Sequence, residues 1–150
     1  MIGFFEHQYL SYKKNHIKSL LALSKSDGHL HQKEIEVLYE IGRRYGLKDR
    51  QIKEMIDSEE KFEVYVPDNF HDKMNILYDM VLMVHADGIV EKKEIEFCQD
   101  VVKKFGMKKE IVQWIIDEVF PIGTPPPYDE WIEFKEYAKE NFFVKTKGGK

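Results

Sequence analysis

Apolar residues recur at helical spacing along almost the whole chain, and no segment alternates apolar with polar as a half-buried strand would. From about 4 to 26, Phe5, Tyr9, Tyr12, His16, Leu20 and Leu23 share one face, and Asp27-Gly28 then breaks the helix. A second helix over about 31–45 turns Ile35, Leu38, Tyr39 and Gly42 inward and ends at Gly46, a residue that takes the left-handed conformation without steric cost. Asp49 is placed to cap a short third helix bearing Ile52, Met55 and Ile56. Residues 58–68 lose the period and read as a linker. Asp68 or Asn69 then caps a helix to about 86, with Met74, Leu77, Tyr78, Val81 and either Leu82 or His85 inward. Further helices follow over about 91–105 (Ile95, Cys98, Val101, Val102, Phe105) and 109–119 (Val112, Ile115, Ile116, Val119). Four prolines within residues 121–127 block both helix and strand. A last helix, about 128–143, carries Trp131, Phe134, Ala138 and Phe142 on one stripe. The expected fold is all-α, with about seven helices.

The pattern is duplicated. Residues 21–57 align with 81–117 at a constant offset of 60 and without a gap. Asp27-Gly28 becomes Asp87-Gly88, Lys33-Glu34-Ile35-Glu36 becomes Lys93-Glu94-Ile95-Glu96, and Gly46-Leu47-Lys48 becomes Gly106-Met107-Lys108. A repeated supersecondary unit fixes architecture. The expected organisation is one domain, 1–150, with repeat one at about 4–57 and repeat two at about 69–119.

The shared signature, Asp-Gly-x-[Leu/Val]-x-x-Lys-Glu-Ile-Glu, matches the second half of a calcium-binding EF-hand loop, with Asp27 and Asp87 at position five and Glu34 and Glu94 at position twelve. The first half fails, because Leu23 and Lys25, or Met83 and His85, occupy ligand positions one and three. Calcium takes six to eight oxygens, so one loop cannot serve alone. Helix capping explains part of the pattern equally well. Gly28 and Gly88 would end one helix, and Glu34 and Glu94 would sit at N3 of the next, behind the weak caps His31 and Glu91. Capping does not require Asp27 and Asp87. If the two turns face each other, Asp27, Glu34, Asp87 and Glu94 form one acidic cluster that a cation would relieve. His29, His31 and His85 lie at the same turns; imidazole would favour a transition metal, carboxylate alone calcium or magnesium. The candidate ion is therefore a divalent cation: calcium, magnesium, manganese or zinc.

At these residues the chain resembles the TerB-like family, named for tellurite resistance. The resemblance rests on Ala86-Asp87-Gly88 through Glu94, on its copy Ser26-Asp27-Gly28 through Glu34, and on the hinges at Gly46 and Gly106, and it spans roughly residues 15–120. It implies an all-helical duplicated domain of a stress-response type, also found as the N-terminal module of some membrane-anchored DnaJ-like co-chaperones. It further implies acidic turns suspected of holding metal, and no catalytic activity.

Composition narrows the alternatives. A net charge of −4 argues against general nucleic-acid binding, which needs a basic face. Cys98 is the sole cysteine, which removes any internal disulfide and any CxxC motif, and its spacing makes it a core residue. There is no apolar run of about 20 residues and no signal-peptide pattern at the start, so the expected location is cytoplasmic. Nucleophile elbow, phosphate loop and HExxH are absent from the sequence, and a metal-dependent hydrolase is the weakest of three function classes. The first class is a non-enzymatic binding module with a divalent-cation site. The second is a protein-interaction scaffold without metal, using Trp131, Phe134, Tyr137, Phe142 and Phe143 either to dock the last helix or to meet an unidentified protein partner. Pro125-Pro126-Pro127-Tyr128 reads as a stiff spacer or a polyproline ligand. Lys13, Lys14, Lys18, Lys25, Lys145, Lys147 and Lys150 are either a solvated face or a contact for a membrane surface or another acidic partner.

Overall fold

The computed structural model describes residues 4–26, 28, 30–86 and 88–143, with side chains from Ser11 onward, so Phe5 and Tyr9 of the expected first stripe lie outside the described side chains. Among the described residues the architecture is all-helical, with seven α-helices and no strand. An isolated antiparallel bridge joins Met107 to Phe143. No described helix is long and apolar enough to cross a membrane. The chain divides into two compact units, Met1–Tyr65 and Val66–Lys150.

Unit 1 holds α1 (Phe4–Ser24), α2 (Gln32–Arg44) and α3 (Asp49–Asp57). Gly28 donates its N–H to the Lys25 carbonyl (3.0 Å) at φ +86°, so the chain leaves α1 in a left-handed turn. α2 ends in a Schellman motif: Leu47 N–H reaches the Gly42 carbonyl and Gly46 N–H the Arg43 carbonyl, both at 2.9 Å, while the Leu47 side chain is buried. Asp49, expected as the cap of α3, is instead its first residue. Lys48 takes the cap position, its N–H donating to Gln51 Oε1 (2.8 Å), because the Asp49 carboxylate is engaged by the Arg43 guanidinium in two bonds of 2.9 Å. Lys25 Nζ closes the far end of α3 by donating to the Ile56 and Ser58 carbonyls (3.2 and 3.3 Å). The linker is held too: Tyr65 N–H donates to Ser19 Oγ (2.9 Å), and Lys18 Nζ lies 5.4 Å from the Phe62 ring centre.

Unit 2 holds α4 (Phe70–Val84), α5 (Lys92–Lys104), α6 (Glu110–Trp114) and α7 (Tyr128–Asn141). Asn69 caps α4, its Oδ1 accepting from Asp72 N–H (2.8 Å). The Schellman motif recurs at Gly106, with Met107 N–H on the Val102 carbonyl (2.9 Å) and Met107 buried. The helix expected over 109–119 is α-helical only to Trp114. Ile115–Val119 widens into a π-helical turn, closed by Phe120 N–H on the Ile115 carbonyl (2.9 Å), a span of five residues. Gly123, at φ +75°, turns the proline-rich segment back, and Pro127 caps α7.

The buried stripes keep Leu38, Gly42, Cys98, Val101, Val102 and Phe105 as expected and differ at their first position, where Glu34 and Glu94 are buried in place of Ile35 and Ile95, and at Ile41, which is buried in place of Tyr39. Glu34, Leu38, Ile41 and Gly42 face the core of unit 1, while Ile35 and Tyr39 are half-buried. Glu94, Cys98, Val101 and Val102 do the same in unit 2, with Ile95 half-buried. The reason at the first position is the N3 carboxylate, which bends back to the cap backbone and so occupies the inward position. Cys98 is fully buried, and burial, with the Glu94 charge adding to it, pushes its thiol far above the ordinary range, so it is an inert core residue.

Candidate functional site

The acidic turns are built alike. In the first, Gly28 N–H reaches the Lys25 carbonyl at 3.0 Å; in the second, Gly88 N–H (φ +80°) reaches the His85 carbonyl at 3.0 Å. Glu34 then accepts from His31 N–H at 3.0 Å, and Glu94 from Glu91 N–H at 3.4 Å. Both carboxylates are buried, with 3% and 8% exposure, and both serve as the return half of a helix cap. Asp27 and Asp87, the other proposed ligands, lie outside the described residues, as does His29. Glu34 belongs to unit 1 and Glu94 to unit 2. Among the described residues, no three His, Cys, Asp or Glu side chains gather as metal ligands.

His85 ends α4 beside the second turn. Its ring stacks on Phe120, with centroids 5.9 Å apart and planes 11° from parallel, and its Nε2 is buried without a hydrogen-bond partner. Burial holds its pKa below the ordinary imidazole value, so the ring is neutral at physiological pH.

A different kind of site lies on unit 2, where the end of α6 and the π turn meet α7. Trp114 is its centre. Tyr137 stacks on the indole (5.2 Å, 19°), Phe134 meets it edge-on (5.8 Å, 75°), and Phe142 approaches at 5.1 Å. Aromatic pairs at these separations add to the energy of plain burial. The cluster is only partly covered: Trp114, Phe134 and Phe142 are half-buried, and Tyr137 keeps 50% of its surface exposed. With Glu118, Glu130 and Glu133, the rings of Trp114, Phe134 and Tyr137 line an open cleft of about 560 Å³. Thus Trp131 and Ala138 dock α7 on the core, while Phe134 and Tyr137 of the expected aromatic set face the cleft and Phe142 packs beside Trp114. Phe143 stands apart, against Phe70 at 5.7 Å.

Sequence reasoning missed Trp114 and the three glutamates. Their spacing carried a signal: 114 and 118 are one turn apart, and 130, 133, 134 and 137 follow i, i+3, i+4, i+7. Missed as well was Lys135, which is buried on α7 and places Nζ 2.9 Å from His71 Nδ1. Burial lowers the Lys135 pKa. Comparison with protein-family models, curated proteins and solved structures found no match to this chain.

Proposed function

We propose that this chain is a non-enzymatic, cytoplasmic binding module of the TerB-like stress-response type, and that it works by protein contact through the aromatic face of its last helix. One observation carries the reading: Tyr137, half exposed, stacks on Trp114 in an open cleft. Large aromatic side chains held rigid by one another yet open to solvent are what interface hot spots are made of. The family resemblance supplies the non-enzymatic, stress-response part. Panning a random peptide library on the full chain, with a Tyr137→Ala/Phe134→Ala variant as counter-selection, tests it. Selected peptides should shift the Trp114 indole resonance and fail on the variant. Peptides that bind elsewhere, or bind the folded variant equally, would overturn it.

The second reading is a divalent cation at the acidic turns. It is supported by the matching geometry of the turns that carry Asp27 and Asp87, with the same hydrogen bond at 3.0 Å in each. Because Glu34 and Glu94 already cap helices, the aspartates would have to lead. Titration calorimetry with calcium, magnesium, manganese and zinc, on wild type and on Asp27→Asn/Asp87→Asn, decides it. No heat with any of the four ions ends that reading.

A further inference from the structure

The gapless repeat makes each unit an internal reference for the other. At offset 60, Trp114 stands where unit 1 has Glu54, an exposed residue of α3. Glu118 stands where unit 1 has Ser58, the residue that ends α3. From Ile115 onward unit 2 has what unit 1 lacks, the π turn and then α7. These additions, with Trp114, line the aromatic cleft. A surface helix position that exchanges carboxylate for indole gains nothing in solubility, and π turns are concentrated at functional sites. The cleft thus joins one exchanged position of the repeat, Trp114, to residues of the unduplicated segment.

The polar half of the cleft has one sign. Glu118, Glu130 and Glu133 rim the aromatic floor, and among the described residues no basic side chain lines it. Among the described residues, none forms an ion pair with these three carboxylates. Glu130 and Glu133 share one face of α7 with Phe134 and Tyr137. Rings whose faces are negative, beside a row of carboxylates, suit a cation carried on an apolar stem: guanidinium or ammonium over the ring, methylenes against it, and carboxylates at the rim.

We propose that this cleft docks a basic segment of another protein, with an arginine or lysine side chain laid against the exposed face of Tyr137 and its charge met by Glu118, Glu130 and Glu133. The inference rests on the protein-contact reading above and assigns the partner's chemistry. Complementary charge of this kind sets specificity and encounter rate, and it weakens with salt.

The test follows the Trp114 indole N–H and the Tyr137 neighbourhood by two-dimensional NMR of the full chain. The probes are a short glycine-serine peptide bearing arginines and its twin with citrulline in their place. The arginine peptide should move these resonances, lose affinity with added salt, and bind about tenfold or more weakly to a Glu118→Gln/Glu130→Gln/Glu133→Gln variant, the loss expected when charge-assisted contacts become neutral ones. These three residues are exposed, so the variant should fold, and an unchanged buried Trp131 signal checks that it does. Equal binding of arginine and citrulline peptides overturns the basic partner but leaves protein contact at this face intact. Failure of every peptide, library-selected ones included, overturns both. Binding that appears only after Lys145, Lys147 and Lys150 are replaced by serine would identify the chain's own end as the occupant and overturn the partner. Self-association that the triple glutamine variant abolishes would identify a second copy instead, and would likewise overturn it.

Discussion

Gly42 lies beneath Ile52, whose Cγ1 and Cδ1 would stand 2.8 and 2.5 Å from a Cβ added at residue 42. In the second repeat the same two positions are Val102 and Val112, both buried. One repeat therefore pairs the smallest residue with a long one, and the other pairs two of medium size. Gly42→Val should overpack unit 1 and cost about 1–3 kcal/mol. Adding Ile52→Val removes the methyl group in the way and should return part of that loss. A urea-unfolding double-mutant cycle measures it, and simple additivity would refute the pairing. Lys135 gives a second residue-scale expectation. Burial holds its folded pKa below the unfolded value of about 10.4. Between those two values the unfolded chain binds more protons, so stability rises as pH climbs through that interval. The melting temperature should rise with alkalinity more in wild type than in Lys135→Met, which has no proton to lose. Parallel pH profiles for the two proteins would contradict the assignment.

At the scale of the helix, the glutamates of the acidic repeat do a capping job. Glu34 and Glu94 accept from the backbone of the cap residue, and glutamine offers the same acceptor oxygen. Glu34→Gln should leave the melting temperature nearly unchanged, while Glu34→Ala should cost about 1 kcal/mol. Equal losses for the two variants, measured by thermal unfolding, would mean that the charge rather than the acceptor matters. Much of this level was legible in the sequence. The glycines at 28, 46, 88 and 106 mark the left-handed turns that the backbone adopts there. The first inward position of α2 and α5 was less so, because a buried N3 carboxylate cannot be told from an exposed one by spacing. The aromatic stripe of α7 was visible, yet its partner Trp114 was not. Trp114 lies outside the apolar period of its own helix, and a residue that leaves the period reads as surface.

At the scale of the whole chain, unit 1 and unit 2 each close a core with their own helices, α1 to α3 in one and α4 to α7 in the other. Gly42→Val should therefore speed amide hydrogen exchange in α1 to α3 far more than in α4 to α7. Uniform acceleration across both, read by native-state exchange, would show one cooperative block instead. The cleft belongs to this scale as well. It joins α6, the π turn and α7, elements far enough apart in sequence that no local pattern announces their meeting.

The π turn has a consequence for which kinds of mutation this chain tolerates. Phe120, fully buried against Tyr78 and His85, is placed by the number of residues from Ile115 rather than by their identity. Asp117 and Glu118 within that count are exposed, so a substitution at either leaves the count, and with it Phe120, in place. Removing either one would restore the α-helical count and swing Phe120 by about 100° around the axis, out of its socket. A stability scan would tolerate substitutions at 117 and 118, and would not tolerate the deletion of either residue.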